Sequence, residues 1–212
     1  MVGDVVMSAT IEFIFDFASP NAYLAYRALQ PVLERTGAGL MINPCLLGGI
    51  FKATGNVAPG VAYAAVKGKL DYQMLEIRRF IAKHQLDKFR FNPNFPVNTL
   101  MLMRGFVAAR EAGVEAAYLE MGLKGLWEEG LKLDDPEVLA RRVDSAGLNS
   151  ASLLAAAQTD RVKLKLADNT AAAVARGVFG IPTFFVGDEM FFGKDRLAQV
   201  EEAAQAAPAR AS

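Results

Sequence analysis

Residues Ile11 to Tyr23, reading IEFIFDFASPNAY, constrain the fold more than any other stretch of the chain. Ile11, Phe13, Phe15 and Phe17 alternate with Glu12, Ile14 and Asp16, which is the period-two pattern of a β-strand. Ser19-Pro20 follows, and apolar residues then recur at helical spacing: Tyr23, Leu24, Tyr26, Leu29, Val32 and Leu33. Serine is a favoured N-cap because its oxygen accepts an otherwise unpaired helix amide. Proline suits the first helical position because its missing N–H has no partner there anyway. The pattern predicts a strand that turns straight into a helix at Ser19. The hydroxyl then sits beside the free amides and the positive end of the helix dipole, where an anion is readily held. Two readings follow from this stretch alone: a plain helix cap, which is the commoner use, or an anion-stabilising hydroxyl.

Composition narrows the classes. The chain has 212 residues, 52% of them hydrophobic, with 23 basic and 23 acidic side chains. That length supports a substantial core, as one domain or as one domain with a large insertion. The balanced charge argues against a nucleic acid or an anionic membrane surface as partner. No apolar run reaches the length of a membrane span, and Met1 to Ala9 lacks the basic and apolar regions of a secretory signal. One cysteine, Cys45, excludes an intramolecular disulfide and a CxxC redox pair. A cytoplasmic protein is expected.

Along the chain, residues 1–8 read as a loose leader. The helix from Pro20 is expected to stop near Gly37 to Gly39, with a kink or break at Pro31. Leu40 to Leu47 reads as a second strand near a sheet edge, since Pro44 cannot donate to a ladder. The segment GGIFKATGNVAPG reads as polar, glycine-rich loop. Helices are then expected over Tyr72–His84, from Val97 to about Ala112, and over Val114–Glu129, with the irregular NPNFP between the first two. Asp134-Asp135-Pro136-Glu137 marks another helix start, and two further helices precede Gly177. Val178 to Val186 is a β-type run interrupted by Ile181-Pro182, Gly187-Asp188 signals a hairpin, and Glu189 to Phe192 returns. Asp195 to Ala206 reads as a closing helix, and 207–212 as a frayed tail.

The order is therefore β-α-β, a long helical insert, then β-β-α. Those halves make a thioredoxin-like α/β sheet domain from residues 9–50 and 170–207, with 51–169 as an all-helical insertion domain. In such a fold the Pro182 loop faces Ser19. Proline at a strand start there is either cis, as in tight functional turns, or an ordinary trans edge residue. Either way the exposed backbone of Ile181 can pair with a peptide-like ligand in strand fashion.

The segments FDFASPNAYLA, LLGGIFKATGN, NPNFPVNTL and GVFGIPTFFVGDEMFFGKDRL, in that order, resemble the 2-hydroxychromene-2-carboxylate isomerases and the kappa-class glutathione transferases, relatives of the disulfide oxidoreductase DsbA. The resemblance spans about Ile11 to Leu197, and its middle segments favour the isomerase branch. It implies a glutathione cofactor. Ser19 stands where a redox relative carries its reactive cysteine, so it cannot form a mixed disulfide but can donate a hydrogen bond to a bound thiolate. The resemblance implies that this thiolate adds to 2-hydroxychromene-2-carboxylate and leaves again, giving trans-o-hydroxybenzylidenepyruvate. It further implies that Asn56 and the backbone of Ile181 beside Pro182 contact glutathione. Lys194 and Asp195 would receive its γ-glutamyl end, and Lys67 a carboxylate. Asn98 and Arg104 are weaker candidates for the substrate carboxylate. A homodimer is implied as well.

The common family pattern after Ser-Pro is an aromatic residue and then serine. Asn21 and Ala22 stand here instead, which removes an aromatic wall and a second hydroxyl beside the substrate. No metal site is expected: His84, the one histidine, lies on a charged helix face. Trp127 is expected in the core, and Cys45 as a small buried hydrophobe. Two alternatives stand beside the isomerase: a kappa-like transferase or peroxidase acting on electrophiles with the same thiolate, and a non-catalytic thioredoxin-fold module. DsbA-type redox chemistry is excluded by the missing cysteines.

Overall fold

The computed structural model describes residues 9–206. The expected leader at 1–8 and tail at 207–212 lie outside the described residues. The elements run β1 (Thr10–Phe15), α1 (Pro20–Thr36), β2 (Gly39–Pro44), α2 (Leu47–Thr54), α3 (Pro59–Ala62) and α4 (Lys69–His84). They continue with α5 (Leu100–Glu111), α6 (Glu115–Trp127), α7 (Pro136–Ser145), α8 (Ser150–Ala156) and α9 (Asp160–Ala175). β3 (Thr183–Val186), β4 (Glu189–Phe192), a 3-10 turn (Lys194–Arg196) and α10 (Leu197–Ala206) close the chain.

The sheet order is β2-β1-β3-β4, with β1 parallel to β2 and antiparallel to β3, and β3 antiparallel to β4. This is a thioredoxin-like sheet with a helical insertion. β1 is one of its two inner strands: Ile11, Phe13, Ile14 and Phe15 are all fully buried. Burial on both faces explains why Ile14, on the nominally polar side of the alternation, is apolar. Across the register Phe13 faces Phe184, and their rings stack at 4.7 Å. β2 is an edge strand and ends at Pro44, as a residue without an N–H allows. α10 packs on α1 and on β1 and β3, while α9 packs on β2, α2 and α5.

The helix after Ser19 ends at Gly37, whose φ of 66° takes the left-handed cap that glycine adopts without strain. The expected kink or break at Pro31 is corrected: α1 continues through it to Thr36. Pro31 lies exposed and leaves the Arg27 carbonyl without its helical donor. The glycine-rich segment after β2 also differs from expectation, because Leu47–Thr54 is helical. Bonds from far along the chain begin it there: Leu47 N–H donates to Asp16 Oδ2 at 2.8 Å, and Leu46 N–H to Thr170 Oγ1 at 3.0 Å. The expected boundary between residues 169 and 170 falls inside the continuous helix α9.

Candidate active site

Ser19 caps α1. Its backbone is extended, and its Oγ accepts from Ala22 N–H at 3.2 Å. The same hydroxyl donates to the carbonyl of Ile181 at 3.1 Å, a bond between residues 162 apart in sequence. The Ile181–Pro182 peptide is cis. The structure thus places Ser19, Ile181 and Pro182 together, and it shows the hydroxyl to be buried and already committed on both sides.

Asn56, just after α2, donates from Nδ2 to the carbonyl of Phe179 at 2.7 Å, which ties it to the loop that carries Ile181. Lys194 is buried, unlike a solvated surface lysine. Its Nζ bonds both Asp195 oxygens, at 2.9 and 3.1 Å, and lies 4.9 Å from the centre of the Phe80 ring of α4. Any ammonium that comes to Asp195 therefore shares it with Lys194. Lys67 lies exposed in the turn between α3 and α4 and carries no ion pair among the described residues. Asn98 is exposed, and its Oδ1 caps Leu100 N–H at 3.0 Å. Arg104 is half-buried on α5 and likewise has no ion pair among the described residues. Among the described residues none of these three hydrogen-bonds to Ser19.

Beneath the Ser19 turn lies a carboxylate that the sequence reading did not single out. Asp16 is buried and accepts from Ala18 N–H at 2.9 Å, Thr99 Oγ1 at 2.7 Å and Leu47 N–H at 2.8 Å. One side chain thereby joins the turn before Ser19 to the starts of α2 and α5. Burial raises its pKa, opposed by the three donors. Trp127 adds a second prop: its indole N–H donates to the carbonyl of Phe17 at 3.0 Å. No local pattern announces either bond, because Thr99 is 83 residues from Asp16 and Trp127 is 110 from Phe17. The polar residue closing an apolar strand was the one available signal.

Cys45 is fully buried, and its thiol is pushed up to about 12, first by burial and then by Asp16 and Glu12, so it is a packed side chain here. The His84 ring lies 4.3 Å from that of Phe80, tilted by 36°, and burial lowers its pKa. Among the described residues no cluster of His, Cys, Asp and Glu could hold a metal ion, and no helix is long and apolar enough to cross a membrane.

A serine-capped first helix facing a cis-proline loop defines a thioredoxin-fold protein without the redox cysteines. Residues 10–205 match the model of the DSBA-like thioredoxin domain, and the chain belongs to that family, in the group of 2-hydroxychromene-2-carboxylate isomerases and kappa-class glutathione transferases. It is 30% identical to a 2-hydroxychromene-2-carboxylate isomerase of Pseudomonas putida over 91% of this chain and 93% of the relative. It is 27% identical to glutathione S-transferase kappa 1 of Rattus norvegicus over 88% of this chain and 87% of the relative. A solved 2-hydroxychromene-2-carboxylate isomerase structure superposes with a TM-score of 0.78 at 30% identity, over 92% of this chain and 93% of that one.

Proposed function

We propose that the protein is a glutathione-dependent isomerase acting on 2-hydroxychromene-2-carboxylate or a related aromatic-pathway intermediate, in the cytoplasm. The observation that carries this reading is the Ser19 hydroxyl at the N-terminus of α1, hydrogen-bonded to Ile181 beside cis-Pro182. The isomerase relatives, at about 30% identity over nearly the full chain, support it.

The residues fit a peptide-like thiol. The side-chain oxygen of Asn21, in the first turn of α1, is buried without a hydrogen-bond donor, so this turn has an acceptor to spare. When bound, glutathione would supply a nucleophilic thiolate. Ile181 would accept a ligand amide at the carbonyl that Ser19 now occupies, in the manner of strand addition. Ser19 would then turn its freed proton toward the sulfur. The α1 dipole and this hydroxyl together favour the anion and move the thiol pKa toward neutrality. Asn56 would hold the Phe179–Ile181 loop in place, and Asp195 with Lys194 would meet the γ-glutamyl end. Lys67, exposed and without an ion pair among the described residues, is free to pair with a carboxylate. Asn98 and Arg104 would receive the carboxylate of the substrate.

A kappa-like transferase is the second reading, favoured by the kappa relative. Turnover of 2-hydroxychromene-2-carboxylate with total thiol followed in parallel separates the two. The isomerase forms product at constant glutathione, and the transferase consumes glutathione mole for mole. A homodimer also belongs to this proposal. Val57, Val61, Tyr63, Val66, Tyr72 and Met74 are exposed along one segment, and a second copy would cover apolar surface there. Light scattering reads that mass directly.

A further inference from the structure

We propose that the cleft between α1, α4 and α10 is a further binding site, apart from the Ser19 site, and that it takes a medium-chain aliphatic monocarboxylate.

Three helices each turn one face to this cleft, whose volume is about 770 Å³. That size falls within the range of small-molecule sites. From α1 come Ala28, Pro31, Val32 and Arg35, the spacing of a single helical face. From α4 come Glu76, Arg79, Phe80, Lys83 and His84, again one face. Leu197, Ala198 and Glu201 of α10 close the third side, next to Lys194 and Asp195 of the 3-10 turn. Phe80 is the one residue that α4 buries, so the space between α4 and α1 is left open. The cleft begins well away from the reacting centre proposed above. From Ser19 to Ala28 is about 13 Å along α1, at ~1.5 Å per residue.

The charges that line the cleft are paired off with one exception. Arg35 bonds Glu201 through Nε and Nη2 at 2.6 and 2.8 Å. Lys194 Nζ bonds both oxygens of Asp195, and Arg79 pairs with Glu76. Lys83 is exposed and carries no ion pair among the described residues. One positive charge is therefore left for one anion, and a carboxylate is its natural partner. The apolar part of the lining decides the body of the ligand. Phe80 is buried and already has the Lys194 ammonium 4.9 Å from its ring centre and the His84 ring at 4.3 Å. The apolar surface that remains belongs to α1 and α10, where Pro31 and Ala198 are exposed beside Val32 and Leu197. Those side chains are aliphatic. They suit a run of methylenes, each of which gains by leaving water.

Isothermal titration calorimetry with decanoate tests the site. Saturable binding is expected in wild type, equally in Ser19→Ala, and it should persist in the presence of millimolar glutathione. Lys83→Met is expected to weaken it about threefold, the worth of an exposed charge pair. Ala198→Glu, which sets a negative charge in the cleft, should weaken it about tenfold or more. Both positions are exposed, and circular dichroism checks that both variants keep the fold. Butyrate, for lack of chain, and decyltrimethylammonium, for its opposite charge, are each expected to bind wild type at least about tenfold more weakly than decanoate. No saturable binding in wild type overturns the proposal, as does equal affinity for the cationic amphiphile or undiminished affinity in both cleft variants. Loss of decanoate binding in Ser19→Ala, or its abolition by glutathione, also overturns it, because the occupied site would then be the one at Ser19.

Discussion

The turn around Ser19 and the segment from Gly55 to His84 are built on opposite principles. At the turn nearly every polar group is matched by a partner far away in sequence: Ser19 with Ile181, Asp16 with Thr99 and Leu47, Phe17 with Trp127. In the second segment residues 55–68 are exposed throughout, and α4, 16 residues long, buries only Phe80. Phe80 is also where α4 meets the sheet side of the molecule, through Lys194. Pre-organisation is concentrated in the turn, where a reacting sulfur would need fixed dipoles. The second segment leaves Val57, Val61, Tyr63, Val66, Tyr72 and Met74 exposed, with only Phe80, Ile77 and Ile81 of α4 turned to the core.

Substitutions can break this contrast. The largest effect is expected from Ser19→Ala. Isomerase turnover should fall about 10²-fold or more, as when one donor to a developing anion is removed. Stability should fall by about 2–3 kcal/mol, the loss of a cap and of the buried bond to the Ile181 carbonyl, read by urea denaturation. Equal small losses in both would reduce Ser19 to a cap. Next comes Asp16→Ala, which leaves Ala18 N–H, Leu47 N–H and the Thr99 hydroxyl without their acceptor. About 2–4 kcal/mol of stability should be lost, and a loss under about 1 would show that the clamp is not structural.

The pH dependence of the same residue sharpens the point. The Asp16 pKa is raised above its ordinary 3.8 in the folded protein, so in the window between the two values the folded state holds a proton that the unfolded state has released. Stability from this group is therefore present at the acid end and lost as pH rises through the raised value. The wild-type minus Asp16→Asn difference in unfolding free energy should decline with rising pH across that window. A difference that rises instead would mean that the three donors outweigh burial. The smallest effects belong to the other segment: Val61→Ser and Tyr72→Ser should each stay within about 0.5 kcal/mol in the monomer, by the same denaturation assay. A larger loss would show that the segment is part of the core.

The same contrast governs what the sequence discloses. The β1 alternation, the Ser-Pro junction, the Gly37 stop and the Gly187 hairpin are written in neighbouring residues, and each appears in the structure close to its expected place. The start of α2 is not. Its two glycines favour a loop by local propensity, and the helix begins there because Asp16 and Thr170 take its first amides. Asp16 itself reads as the polar half of an alternating strand, and two of its three partners, Leu47 and Thr99, lie far along the chain. Trp127 could be assigned to the core from its size, but not to Phe17 in particular. The burial of Lys194 is equally illegible, because nothing nearby in sequence reveals Phe80.

The measurement that bears most directly on the account is the ultraviolet absorbance of glutathione thiolate on titrating glutathione into wild type and Ser19→Ala at neutral pH. The account predicts a saturable thiolate signal in wild type that Ser19→Ala abolishes, with the variant still folded by circular dichroism. An equal signal in both proteins would contradict the role given to Ser19. No signal and no binding at millimolar glutathione would contradict the cofactor itself and leave a binding module on a thioredoxin fold.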